Sequence, residues 1–214
     1  MNLNQKNWGC PKKHKAREET IVNLYRTIFG KPSIPKSKQY WTISGQCSSG
    51  DSKVIPNCEY DHVVSSKLIK PVQFHGAEIV PEIYEANKTI VGPNWYLGDF
   101  YQTMVAQDNI GNFKPAVVNA DLLMMPENGA MYLSKILAFL TALKIKNVMV
   151  IGNLILRYRQ FKFTNEDTVK FLSEDPQFKY AMEVGQWNIY DQGYTYNGTG
   201  DNRTIMGTVV LTRL

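Results

Sequence analysis

"WNIYDQGYTYNGTGDNRTIMGTVVLTRL", residues 187–214, closes the chain and decides how the rest is read. Its two runs, "WNIYDQGYTYNG" and "RTIMGTVVLTRL", are rich in aromatic and β-branched residues, and "TGDN" between them has the composition of a turn. Two consecutive strands around a turn make an antiparallel hairpin. Upstream, strand-like and helix-like stretches alternate instead, which implies parallel strands joined by right-handed crossovers. A mostly parallel sheet that finishes in a hairpin is a narrow class of α/β fold.

The alternation begins at residue 39. "QYWTIS" (39–44) reads as a strand, "GQCSSGDSKVIPN" (45–57) as a loop and "CEYDHVVSSKLI" (58–69) as a helix. "VQFHGAEI" (72–79) is the next strand and "PEIYEANKTI" (81–90) the next helix, with Pro81 suited to its first turn. "NWYLGDF" (94–100) is a third short strand leading into "YQTMVAQ", and "KPAVVNADLL" (114–123) is a fourth. "GAMYLSKILAFLTALK" (129–144) is the clearest helix, and "NVMVIGNLIL" (147–156) has the apolar, β-branched run of a strand buried on both faces. A helix around "NEDTVKFLSEDP" (165–176) precedes the hairpin. The expected fold is a Rossmann-like three-layer α/β sandwich over residues 39–214, its seven-stranded, mostly parallel sheet ending in an antiparallel hairpin.

Composition sets the outer limits. The 214 residues are 43% hydrophobic and 20% charged, enough for one substantial core, and the apolar runs are too short to cross a membrane. With a polar N-terminus and no signal peptide pattern, the expectation is a soluble protein of the cytoplasm. Three cysteines, Cys10, Cys47 and Cys58, form no CxxC pair, and Cys10 with His14 lacks the second ligand pair of a metal site, so no metal is expected.

The net charge of +5 is concentrated at one end. Residues 1–40 hold nine Lys/Arg and two Asp/Glu, leaving fifteen basic and seventeen acidic residues for the rest. Residues 1–38 read as a basic arm followed by a docking helix. In "KNWGCPKKHKAR", Lys12, Lys13, Lys15 and Arg17 suit either non-specific phosphate contact or a solubilising terminus. "REETIVNLYRTIF" (17–29) then places Ile21, Leu24, Tyr25 and Ile28 on one helical face. In "NLILRYRQFKF" (153–163), Arg157 and Arg159 interleave with aromatic rings, a pattern for phosphate contact with base stacking or for half-buried strand-edge residues.

The segment order from "QYWTIS" to the hairpin resembles the class I S-adenosylmethionine-dependent methyltransferase superfamily over residues 39–214, and in particular the short, divergent methyltransferase-like proteins of phages and other viruses. The resemblance implies S-adenosylmethionine as cofactor and assigns places to named residues. Glu78, ending the second strand in "HGAEIVPEIYEANK", stands where the family's acidic residue accepts hydrogen bonds from the ribose hydroxyls; the alternative is a carboxylate that caps the next helix. Asp99 and Phe100 after the third strand would lie near the adenine amino group and ring. Asn119 and Asp121 after the fourth would face the methionine end or the substrate, with Asp121 the candidate general base.

Ser44 and Gly45 would form the first cofactor loop, and here the sequence departs from the pattern. The family's acidic residue shortly before the first glycine is absent, Ile43 standing two residues before Gly45, and only Gly50 follows in the loop. After the fourth strand, "NADLLMMP" replaces the Asp/Asn-Pro-Pro-aromatic turn of base amino-methylating enzymes, and no cysteine follows Cys58 to serve pyrimidine C5 chemistry. Two functions remain: a methyltransferase-like protein acting on a nucleic acid, or an inactive nucleoside- or nucleic-acid-binding module on the same fold.

Overall fold

The computed structural model describes residues 15, 17–43, 45, 47–48, 53–56, 58–122, 124, 126–158, 161–162, 165–190, 195–197 and 204–214. The chain divides into two units, Met1–Ala116 and Val117–Leu214.

In the first unit, a π-helical turn Glu18–Asn23 runs into α1 (Leu24–Phe29), which stops at Gly30 in the left-handed region, φ 61°. Of the expected face, Ile21, Leu24 and Tyr25 are buried and Ile28 is half-buried. β1 (Gln39–Thr42), α2 (Glu59–Ser65), β2 (Phe74–Glu78), α3 (Pro81–Val91), β3 (Trp95–Leu97) and α4 (Phe100–Asn109) follow. Arg26 ties α1 to the end of α2, donating to the Ser66 carbonyl at 2.8 Å, and His62 of α2 meets Glu18 at 3.1 Å.

β1, β2 and β3 pair in parallel, with Thr42 opposite Gly76 and Gly76 opposite Trp95. Each face of this segment carries its own aromatic layer, because successive side chains point to opposite faces. On one face Tyr40 stacks on Phe74 and Phe74 on Trp95, and Tyr60 of α2 meets Phe74 edge-on. On the other, Trp41 stacks on His75 and Tyr96 and meets Phe113 edge-on, while the Tyr96 hydroxyl donates to Gln107 of α4 at 3.1 Å. Helices therefore cover both faces, which is why β2 is buried at all five positions. Gly76 is required where it stands: a Cβ there would run into the Trp95 ring and lie 2.6 Å from the Thr42 carbonyl oxygen.

β4 (Pro115–Ala120) spans the boundary between the units, and the second unit continues with α5 (Pro126–Ala142), β5 (Val148–Tyr158), β6 (Phe161–Lys162), α6 (Asn165–Glu174), α7 (Pro176–Gly185), β7 (Asn188–Tyr190), β8 (Thr195–Asn197) and β9 (Thr204–Arg213). α5 buries Ala130, Leu133, Ile136, Leu137 and Leu140, the stripe that a 3.6-residue period lays along one face. α7 extends the sequence reading. Asp175 caps it by accepting from the Phe178 N–H at 2.8 Å, and Pro176 fills its first position, so the Asp-Pro that looks like a helix end also begins another.

Seven strands follow the order β3-β2-β1-β4-β5-β9-β7, with β6 beside β5 and β8 beside β9. β4 and β5 are parallel, and β9 is antiparallel to both β5 and β7. The expected sheet is present, with a finer detail: β7 runs with the parallel strands, so only β9 of the seven opposes them. The first arm of the hairpin is also split into β7 and β8, both paired to one edge of β9.

Candidate functional site

In an open α/β sheet, the carboxyl ends of the strands are where loops leave room for a ligand. In the first unit these ends are the segments after Thr42, at Glu78 and after Leu97.

Glu78 is the last residue of β2 and only 8% exposed. Its carboxylate accepts from the Val80 N–H at 2.8 Å, Val80 being the N-cap position of α3. Burial pushes the Glu78 carboxyl above its ordinary range, and the Val80 and Ile79 N–H groups offset part of that rise. A carboxylate has about four acceptor sites, so two local donors leave capacity for two hydroxyls. The helix-capping role and a ligand role are thus compatible on one side chain.

Beside Glu78 lie two apolar residues that the sequence pattern did not single out. Ile79 is 71% exposed and Leu97, opposite Glu78 in the ladder, is 52% exposed. Their signal in the sequence is slight: a single apolar residue at a strand end. The Gly98 N–H extends the pairing to the Glu78 carbonyl at 2.9 Å, with Gly98 at φ 143°.

Asp99 caps α4, its carboxylate accepting from the Gln102 N–H at 2.9 Å, and it is exposed. Phe100, the first residue of α4, is 3% exposed, its ring packed in the interior. Glu78 and Asp99 therefore stand at adjacent strand ends, while Phe100 turns inward.

Gly45, half-buried, follows β1 in a loop tied to α3. Asn87 of α3 accepts from the Cys47 N–H at 2.7 Å and donates to the Gly45 carbonyl at 3.0 Å. Ser44 lies outside the described residues.

In the second unit, Asn119 is buried in β4, and its side-chain oxygen accepts from the Asn153 amide of β5 at 3.1 Å. Asp121 is half-buried just past the strand, and its Oδ1 is enclosed without a hydrogen-bond partner among the described residues. Arg157 lies in β5 at a register shift, opposite Lys162 of β6. Lys15 is exposed and Arg17 half-buried at the start of the first helical segment; Lys12, Lys13 and Arg159 lie outside the described residues. Among the described residues no group of His, Cys, Asp and Glu could hold a metal ion, and no helix is long and apolar enough to cross a membrane.

The strand order and the single reversed strand define a Rossmann-like α/β fold with a seven-stranded, mostly parallel sheet. No protein-family model matches the chain, and no curated protein matches it in sequence. Among solved structures it is similar to Streptomyces venezuelae DesVI, at 12% identity over 96% of this chain and 94% of that one, with a TM-score of 0.48. It is also similar to the O-methyltransferase from Bacillus cereus in complex with SAH, at 10% identity over 95% of this chain and 82% of that one, TM-score 0.44. Trm5b from Pyrococcus abyssi shares 8% identity over 89% of this chain, TM-score 0.46, and the chain spans about half of its length, 48%. The fold class rests on the strand order.

Proposed function

We propose that the chain binds an adenosyl nucleoside of the S-adenosylmethionine class, with Glu78 accepting from the ribose hydroxyls and the exposed Ile79 and Leu97 meeting the purine face. The observation that carries this is the Glu78 carboxylate itself, desolvated at the carboxyl end of β2 with acceptor capacity left over beside an exposed apolar pair. Asp99, exposed at the neighbouring strand end, is the residue proposed to meet the adenine amino group. When bound, the cofactor supplies an electrophilic sulfonium methyl. The chain's own part is to hold the nucleoside at the strand ends of the first unit; separately, Asp121 of the second unit, with an enclosed carboxylate oxygen, is proposed as a proton acceptor.

A nucleic acid is the acceptor that the charge distribution supports, since the basic excess gathers in the first 40 residues. Phage or viral kinship and a cytoplasmic location belong to the same proposal and rest on the sequence alone. Calorimetric titration with S-adenosylmethionine and S-adenosylhomocysteine tests the reading; binding of neither ends it.

A second reading has its own support. Ile43 stands where the family's carboxylate would meet the methionine ammonium, so a non-catalytic nucleoside-binding module also fits. Transfer of a labelled methyl group to single- and double-stranded oligonucleotides separates the two. Binding without transfer to any acceptor selects the module.

A further inference from the structure

Asn87 breaks the rule of its helix. In α3, Ile83, Asn87 and Val91 recur four residues apart on the buried face, and Asn87 is 0% exposed. A carboxamide at an apolar core position is costly unless both its ends are satisfied. Here both are, and by the same short piece of backbone: the oxygen takes the Cys47 N–H at 2.7 Å and the nitrogen gives to the Gly45 carbonyl at 3.0 Å. A donor and an acceptor two residues apart fix which way the amide faces and hold the loop at two points.

The loop has other ties, all consistent with a shaped rather than a slack segment. The Ile55 N–H donates to the Cys47 carbonyl at 2.8 Å, Ser48 bridges Val54 in antiparallel fashion, and the Ser48 hydroxyl meets that of Thr89, also on α3, at 3.5 Å. α3 begins directly after the Glu78 turn. One helix therefore carries the strand-end carboxylate turn at its start and grips the loop after β1 from its middle.

We infer that Asn87 is a positioning residue: it holds the backbone at Gly45 and at Cys47 where the amino-acid end of a bound adenosyl ligand would lie, doing with a side chain what a glycine-rich turn does with its own geometry. This rests on the nucleoside-binding reading. A polar group is kept in the core where packing favours an apolar one, which marks a site constraint rather than a folding preference. Its two bonds go to the loop at the carboxyl end of β1, where open α/β sheets receive ligands. Small displacements of such a loop are costly in affinity because its dipoles must meet the ligand at hydrogen-bond distance.

The test compares two probes that differ at one end. S-adenosylhomocysteine carries the amino-acid part and adenosine does not. Asn87→Ala and the milder Asn87→Ser are expected to weaken S-adenosylhomocysteine about ten-fold while adenosine stays within about two-fold, and Glu78→Ala to weaken both. Equal weakening of both probes by the Asn87 variants, or no change in either, overturns the positioning role. Binding of neither probe by the wild type overturns the nucleoside reading instead, so the two failures are distinct. Amide exchange in the wild-type protein keeps the inference testable should the variants fail to fold. S-adenosylhomocysteine should slow exchange in residues 43–48 beyond the effect of adenosine, and identical exchange with the two probes would refute it.

Discussion

The Val80 N–H donates to the Glu78 carboxylate at 2.8 Å, so the residue proposed to hold a ribose also caps the turn that follows it. The two duties separate by substitution. Glu78→Gln keeps a neutral acceptor for Val80 and should change stability by less than about 1 kcal/mol. It removes the charge that strengthens hydrogen bonds from hydroxyls, so nucleoside affinity should fall by about 1.5–3 kcal/mol, roughly ten-fold or more. Titration beside urea denaturation decides: a variant that loses stability but no affinity makes Glu78 a cap alone.

Burial raises the Glu78 carboxyl, and the sign of the consequence follows. Between the ordinary value of 4.5 and the raised folded value, the folded state binds the proton more tightly than the unfolded chain. Stability from this group is therefore largest below 4.5 and falls as pH rises through that window, and Glu78→Gln should remove this slope. Ligand affinity should move the opposite way, rising with pH as the carboxylate ionises. Affinity that is flat across the window would count against a charged acceptor.

His75 opposes that slope. It lies 3% exposed against the Trp41 ring, and burial lowers its pKa from 6.5 to about 4. Between those values the unfolded chain takes a proton that the folded state refuses, so stability is lost as pH falls from 6.5 towards about 4. The full loss is on the order of 3 kcal/mol at 1.36 kcal/mol per unit. His75→Phe keeps a flat ring for the stack and should flatten this acid limb in denaturant melts at pH 7 and 4.5.

Gly76→Ala should be among the most damaging single changes in the first unit. The added Cβ meets the Trp95 ring and the Thr42 carbonyl at 2.6 Å, and strand backbone cannot retreat without loosening its pairing to β1 and β3. A loss of about 1–3 kcal/mol or more is expected from overpacking. A melting temperature within a degree or two of wild type would show that Trp95 can move aside.

Deleting residues 1–14 removes Lys6, Lys12 and Lys13 and leaves Lys15 onward in place. If these lysines neutralise phosphate, the dependence of nucleic acid affinity on salt should become shallower by roughly 0.7–0.9 for every phosphate no longer neutralised, with little change in melting temperature. An unchanged slope would leave the arm a solubilising one.

The sequence by itself determined the alternation, the hairpin and the burial of the central strands. Those are local properties: a run such as "KPAVVNADLL" has nowhere to place six buried residues except between covering helices, and aromatic and β-branched runs around "TGDN" favour paired strands. The start of α7 is written there too, in Asp175-Pro176, although the same dipeptide also serves to end α6 and so does not announce a second helix. The site was legible only as a set of strand-end residues. Tertiary structure decided what they do: that Glu78 caps its own turn, that Phe100 faces inward, that Ile79 and Leu97 stay exposed, and that Asn87 spans 40 positions to grip Cys47. No local pattern encodes such a bond, because its cost and its benefit exist only once β1 and α3 have been brought together and water has been excluded from the carboxamide between them.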